Sequence, residues 1–259
     1  MKLTFLGTGT SQGVPVIACH CDVCRSSDER DSRLRTSALL QLPTTHYPLP
    51  TNILFDIGPD FRQQMLRHDV DHLDAILITH AHRDHVGGLD DIRSFNYVQN
   101  RKMDIYLNSE ARVAIERDYH YIFEPHQYPG LPEAELHVVD GTFSTAGGVE
   151  VTPIYAMHKD LPVLGFRIGD MAYITDANYL APAELEKLSG LKVLVLNALR
   201  QSKHFSHFCL GEALDIVAQV TPRQTYLTHI SHEMGLHDEV NRTLPAGVQL
   251  AYDDEEVVI

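Results

Sequence analysis

The stretch "ITHAHRDHVGGL", residues 78–89, places His80, His82, Asp84 and His85 directly after an apolar run. Side chains two residues apart at a strand end project to the same side, so His80 and His82 can grip one ion together. Asp84 and His85, in the turn that follows, can aim at a neighbouring position. One strand end thus offers ligands for two metals, and T-H-x-H-x-D-H ahead of Gly-Gly is specific in a way that a lone His-x-His is not. Two divalent ions roughly 3.5–4 Å apart lower the pKa of a shared water enough to give hydroxide near neutral pH, and they clamp charge developing at a phosphoryl or acyl centre. Imidazoles with carboxylates suit Zn²⁺, or Mn²⁺ as a harder alternative.

A second cluster, "ACHCDVC" (18–24), spaces Cys19, Cys21 and Cys24 as C-x-C-x₂-C. A closed tetrahedral zinc site needs four ligands. His20 supplies the fourth only if adjacent residues fold back on one ion. A Cys21–Cys24 disulfide competes, but it suits a reducing cytosol poorly. Cys209 stands alone and reads as a buried apolar side chain. A third stretch, "SKHFSHFCLGEAL" (202–214), holds His204 and His207 just before a helix, where an acid could protonate a leaving oxygen. Arg200, just upstream, could meet a substrate phosphate, with a surface salt bridge as the competing role. The glycines of "GTGTSQG" (7–13) fit neither the dinucleotide nor the P-loop spacing, so they read as a tight turn or as backbone lining a site mouth.

These residues need strand ends to hold them. "KLTFLGTG" (2–9), "TSALLQL" (36–42), "TNILFDIG" (51–58), "HLDAILITH" (72–80) and "MDIYLN" (103–108) read as strands. Residues 58–70 and 109–123 read as helices, the second capped by Ser109. The second half repeats the style. "LHVVD", "VEVTPIYAMH", "LGFRIG", "MAYITDA", "LKVLVLNAL" and "RQTYLTHIS" are strands, and residues 181–190 and 209–220 are helices. Strand-rich blocks followed by helices, in two halves, predict two facing sheets with helices outside, in one domain over residues 1–259.

The chain has 259 residues, 44% hydrophobic, enough for a large core without disulfides. Its net charge of −14 argues against broad nucleic-acid binding. There is no apolar run near 18 residues and no apolar signal segment at the start, so no membrane span is expected and a soluble cytoplasmic location is the default. Sixteen histidines are high for this length. His46, His120, His126 and His137 fall away from the strand ends and read as ordinary. The aromatic and proline-rich loop 123–135 could be a lid or the contact of a homodimer.

The histidine motif resembles the metallo-β-lactamase superfamily, and the resemblance extends along nearly the whole chain. "ILFDIG" supplies Asp56, "IYAMH" His158, "YITDA" Asp176 and "TYLTH" His229, in the family's order and strand-end context. The resemblance implies an αββα sandwich of two mixed β-sheets with helices on both outer faces. It implies that His80, His82 and His158 bind one metal, that Asp84, His85 and His229 bind another, that Asp176 bridges, and that Asp56 supports the metal loop. The C-x-C-x₂-C, the His232 three residues after His229 in "THISH", and the start "LGTGTSQGVP" resemble the phosphoribosyl 1,2-cyclic phosphate phosphodiesterase branch. That likeness assigns a third, structural zinc to Cys19, Cys21, Cys24 and His232. It makes His207, matched through Glu212-Ala213, the acid, with His204 second. It implies a small, cyclic phosphodiester as substrate, attacked by hydroxide held between the ions, with Asp84 at the reacting centre. Alternatives in the same superfamily are a transfer-RNA 3′-processing endoribonuclease, for which no basic arm is present, and a thioesterase or lactamase-type hydrolase.

Overall fold

The computed structural model describes residues 1–43, 50–125 and 129–259. Among these, the first sheet is built from β1 (Lys2–Gly7), β2 (Ser37–Leu42), β3 (Thr51–Phe55), β4 (Ala75–Leu77), β5 (Met103–Leu107) and β6 (Ala134–Val138). The second is built from β7 (Phe143–Ser144), β8 (Glu150–His158), β9 (Leu161–Ile168), β10 (Met171–Ile174), β11 (Tyr179–Leu180), β12 (Val193–Asn197), β13 (Gln224–Thr228) and β14 (Val248–Leu250). The last strand, β15 (Glu256–Val258), returns to the first sheet and pairs antiparallel with β1. The strand orders are β15-β1-β2-β3-β4-β5-β6 and β11-β8-β9-β10-β12-β13-β14, with β7 added on β8. Each sheet is antiparallel in its early strands and parallel in its later ones, so both are mixed.

Alternation along the strands sorts the apolar side chains into three layers. Phe5, Leu40, Phe55 and Leu77 of the first sheet meet Phe166, Tyr173, Val195 and Tyr226 of the second in the middle layer. Phe55 stacks on Tyr173 across the sheets with ring centroids 4.6 Å apart. On the far side of the first sheet, Leu39, Leu54, Ile76 and Ile105 bury against α1 (Phe61–Arg67), α3 (Arg93–Gln99) and α4 (Ser109–Asp118). The short α2 (Arg83–Val86) lies between α1 and α3 in the chain. On the far side of the second, Ala172, Leu194 and Leu227 bury against α7 (Leu210–Val220) and α8 (His237–Asn241), with α6 (Pro182–Glu186) alongside. This is the αββα sandwich expected.

Two local expectations are corrected. Asn108, not Ser109, caps α4, its Oδ1 accepting the Ala111 amide at 2.8 Å. The helix expected over 109–123 also breaks at Tyr119 into α4 and α5 (His120–Phe123). The break lets the Tyr119 ring bury, with its hydroxyl donating to the Val86 carbonyl at 2.9 Å beneath the histidine loop. The loop between β2 and β3 lies largely outside the described residues, as do His46, His126 and part of the 123–135 loop. No helix among the described residues is long and apolar enough to cross a membrane.

Candidate metal centre

Strands from both sheets end on the same side, and their carboxyl ends carry the predicted residues. Asp56 follows β3, His80 follows β4, His158 ends β8, Asp176 follows β10 and His229 follows β13. Asp56, Asp176 and His229 each hold a positive φ, between 55° and 58°. That left-handed region is unfavourable for residues other than glycine, and such strain gathers at functional sites. The glycines of the two loops permit their close packing. A Cβ on Gly58 would lie 2.2 Å from the Asp84 carbonyl oxygen, and one on Gly88 2.4 Å from that of Gly58.

Four groups of side chains present their ligand atoms within 4.8 Å of one another: His80, His82 and His158; Asp84, His85, Asp176 and His229; His158, Asp176 and His207; and Cys19, Cys21, Cys24 and His232. The structure thus gathers the seven residues of the two expected ligand sets, with Asp176 lying between the sets, and brings His207 to the same place. The His85 Nε2 atom is 3.2 Å from Asp176 Oδ2 and 3.3 Å from Asp84 Oδ2, and His229 Nε2 is 3.2 Å from Asp176 Oδ1 and 3.6 Å from Asp84 Oδ2. Yet these buried nitrogens have no hydrogen-bond partner. Their spacings match the edge of about 3.3 Å expected for a tetrahedron with ligands 2.0–2.1 Å from zinc. Buried carboxylates without a compensating cation are costly, and divalent ions here would supply it. The residues therefore fit a two-metal centre.

Outer contacts fix the ring orientations, as metal-ligating imidazoles require. Asp56, fully buried, accepts from His85 Nδ1 at 2.7 Å and from the Thr79 amide at 2.8 Å. His158 Nδ1 donates to the Ser206 carbonyl at 2.8 Å. Asn197 brackets the turn after Asp176, accepting the Ala177 amide and donating to its carbonyl. Ile230 accepts the Thr10 amide and donates to the Thr8 carbonyl, so the glycine segment braces the residue after His229. That segment is a brace rather than a phosphate loop. Burial holds His80 well below the ordinary histidine range and His158 down at about 4, so both stay neutral and able to ligate. Burial also opposes charge on His85, but Asp176, Asp84 and Asp56 outweigh it and push its pKa up.

In the cysteine group, His232 Nδ1 lies 3.2 Å from Cys19 Sγ, 3.4 Å from Cys21 Sγ and 3.6 Å from Cys24 Sγ. A zinc tetrahedron of sulfur at 2.3 Å and nitrogen at 2.0–2.1 Å has edges of about 3.6 Å, so these residues fit a closed Cys₃His site. The distant His232, not His20, completes the group. The Cys24 backbone amide lowers the Cys21 thiol to about 6, whereas burial pushes Cys24 up to about 11.

His207 Nε2 is 2.9 Å from Asp176 Oδ1, and its Nδ1 is 3.1 Å from Nδ1 of the half-exposed His204. Arg200 pairs with Glu233 and also donates to the Ser202 and Lys203 carbonyls. Sequence reasoning missed Ser206, Thr79 and Asn197. Only Asn197, a lone amide closing the apolar run "LKVLVLN", carried a visible signal.

Among relatives, an "Octanoyltransferase" of Porphyromonas gingivalis is 41% identical over the whole of this chain, which spans about half (52%) of that relative's length. A solved structure described as a new diphosphatase from the PhnP family is 37% identical, with a TM-score of 0.90, covering 100% of this chain and 97% of that one. Zinc-bound PqqB from Methylobacterium extorquens shares the fold at 17% identity, TM-score 0.77, over the full length of both. The model of the beta-lactamase superfamily domain matches residues 51–230. By that match and the PhnP-family likeness, the chain belongs to the metallo-β-lactamase superfamily of metal-dependent hydrolases.

Proposed function

We propose that this chain hydrolyses a P–O bond in a small phosphodiester or diphosphate-linked compound, with a cyclic phosphodiester such as phosphoribosyl 1,2-cyclic phosphate as the first candidate. The observation that carries the reading is His207. Two ligand sets are complete without it, yet its ring is buried at the centre with Nε2 2.9 Å from Asp176 Oδ1. An imidazole so placed can hold a proton at Nε2 and deliver it to the leaving oxygen, as an expelled alkoxide or phosphate needs. The PhnP-family relative is a diphosphatase, which agrees with phosphoryl chemistry.

His80, His82 and His158 would hold one divalent ion, and Asp84, His85 and His229 the other, with Asp176 between. Bound there, zinc or manganese would supply a Lewis acid and a lowered pKa for water. Asp84, on the open side at the turn, also faces the reacting atoms. Asp56 keeps His85 in the tautomer whose Nε2 faces the centre, and Ser206 does the same for His158. The thiol set takes zinc and no substrate. A reducing cytoplasm suits these free thiols.

The test is a panel assayed with metal-loaded protein: phosphoribosyl 1,2-cyclic phosphate, bis(p-nitrophenyl) phosphate, 2′,3′-cyclic nucleotides and a dinucleoside diphosphate. Turnover of none of them rejects the reading. A second reading, acyl-group hydrolysis, draws on the name of the Porphyromonas gingivalis relative, although that name belongs to a chain about twice as long. Thioester turnover retained in His207→Ala would favour it.

A further inference from the structure

His207 is buried, and a buried imidazole is costly to charge. The ring behind it removes the need. His207 Nε2 faces the centre, 2.9 Å from Asp176 Oδ1. Its Nδ1, on the other side of the ring, lies 3.1 Å from His204 Nδ1 and 3.0 Å from Ser206 Oγ. Ser206 is buried as well, whereas His204 is partly exposed. A continuous chain of hydrogen-bonding atoms therefore runs from the centre to a ring that water reaches.

The partners on this chain limit where hydrogen can sit. Two imidazole nitrogens 3.1 Å apart share one hydrogen, since a bare ring nitrogen must face an N–H. When that hydrogen is on His207, His204 Nδ1 is bare and accepts from the Ser206 amide at 3.3 Å. The Ser206 hydroxyl, 3.3 Å from His204 Nδ1 and 3.0 Å from His207 Nδ1, bridges the same two atoms. The imidazole of His158, 4.5 Å from that of His207 between centroids, has its Nδ1 engaged by the Ser206 carbonyl. The charged side chains of the His204 loop are themselves paired, Arg200 with Glu233 and Lys203 with Glu212.

We propose that His204 is a relay residue for the leaving-group acid, holding the positive charge of the pair on its partly exposed ring while His207 delivers the proton. The proposal deepens the P–O hydrolysis reading and rests on it. Before the step, His204 is an imidazolium whose Nδ1–H faces a bare His207 Nδ1, and His207 carries hydrogen on Nε2. The P–O bond breaks with its electron pair on the leaving oxygen, and that oxygen takes the Nε2 hydrogen. In the same step the His204 Nδ1 hydrogen passes to His207 Nδ1. Both rings end neutral, with the hydrogen between them now on His207. Water refilling the site returns one proton to His207 Nε2, and the shared hydrogen moves back to His204. The hydroxide left behind is the nucleophile of the next turnover. One water is thus consumed per bond, its hydroxide on phosphorus and its proton on the leaving oxygen. His207 stays neutral throughout, as its burial favours. Histidine suits the relay because it gains and loses protons near neutral pH. His204 acts through His207 and touches no reacting atom.

The experiment uses the metal-loaded chain and two esters of the panel. One is whichever cyclic phosphodiester turns over fastest, which expels an alkoxide. The other is bis(p-nitrophenyl) phosphate, whose nitrophenolate leaves without a proton. His204→Gln keeps an acceptor for the Ser206 amide but carries no proton. It is expected to lower kcat on the cyclic compound about fivefold, with KM, Tm and turnover of the nitrophenyl ester within about twofold of wild type. In mixtures of light and heavy water, wild-type kcat on the cyclic compound should curve with deuterium fraction, because two protons move, and become linear in His204→Gln. Added imidazole should restore the turnover of His204→Ala. Wild-type kcat in His204→Gln, an equal loss on both esters, or a linear isotope plot for wild type overturns the relay and leaves P–O hydrolysis standing. Turnover of the nitrophenyl ester alone overturns it too. Failure of wild type on every compound of the panel defeats the hydrolysis reading and the relay with it.

Discussion

The Arg200 guanidinium and the Glu233 carboxylate form an ion pair at 2.5 Å that ties the loop carrying His207 to the turn carrying His232. The pair matches the surface salt bridge weighed against a phosphate-binding role for Arg200. Arg200→Ala is expected to lower stability by about 1 kcal/mol, or about 2–4 °C in Tm, because the pair is partly exposed. Activity should fall by kcat, up to about tenfold, with KM within twofold. A KM rise beyond tenfold at unchanged Tm would assign Arg200 to substrate instead.

His207→Ala removes the proposed proton donor without removing a member of either ligand set. A loss of about 10²–10⁴ in kcat is expected, with two active-site ions still bound per chain by metal analysis. His204→Ala, one ring further out, should cost less than tenfold. The reverse order of effects would make His204 the acid.

Asp56→Ala leaves His85 Nδ1 and the Thr79 amide buried without their acceptor. Affinity for the metal set containing His85 should fall about 10–100-fold in a calorimetric titration. The unsatisfied donors should lower stability by about 2–4 kcal/mol. Unchanged metal affinity would confine Asp56 to a folding role.

Cys21→Ser should lose one zinc per chain and lower Tm, while the two remaining ions and most of the activity persist. A zinc held by all four residues would have no open position for a substrate or water. Abolished turnover in a folded variant with both active-site ions bound is the result that contradicts a structural role.

The pH dependence of stability has an identifiable contributor at the far edge of the first sheet. Burial raises Glu255 from 4.5 to about 7. The folded state then holds this proton more tightly than the unfolded chain, so stability falls as pH rises from about 4.5 through 7. Glu255→Gln removes that fall. The variant should gain on the order of 1–2 kcal/mol over wild type between pH 5 and pH 8, a figure discounted for the group's partial exposure. A Tm difference independent of pH would show that Glu255 does not titrate in this range.

Much of the fold and centre was legible because the chemistry is concentrated in short runs. His80 to His85 sit in six consecutive residues after a buried strand, and "DIG", "MH", "TDA" and "TH" each end an apolar run. What stayed hidden acts through the third dimension. Ser206 works through its backbone carbonyl, to which any residue type contributes equally. The left-handed strand ends at Asp56, Asp176 and His229 carry only a weak signature, since Asp and His are enriched at positive φ but most of them elsewhere keep a negative one, and tertiary packing decides. The break at Tyr119 escaped notice because helical periodicity continues across it, and only the burial of its ring under the histidine loop decides the matter.

The pairing of β1 with β15 has a consequence for the order in which the molecule is made. Among the described strands β1 is synthesised first, yet one of its edges waits for β15, which follows the others, more than 200 residues after β1. Thr8 likewise waits for Asp253, and Arg33 for the Ala251 carbonyl. The three cysteines wait for His232. During translation the N-terminal segment therefore stays half-edged until the C-terminal strands arrive. Closure of the thiol site marks a chain in which residues 19–24 and His232 have already met, and a truncated product, lacking β15 and His232, would expose an open sheet edge and loose thiols together.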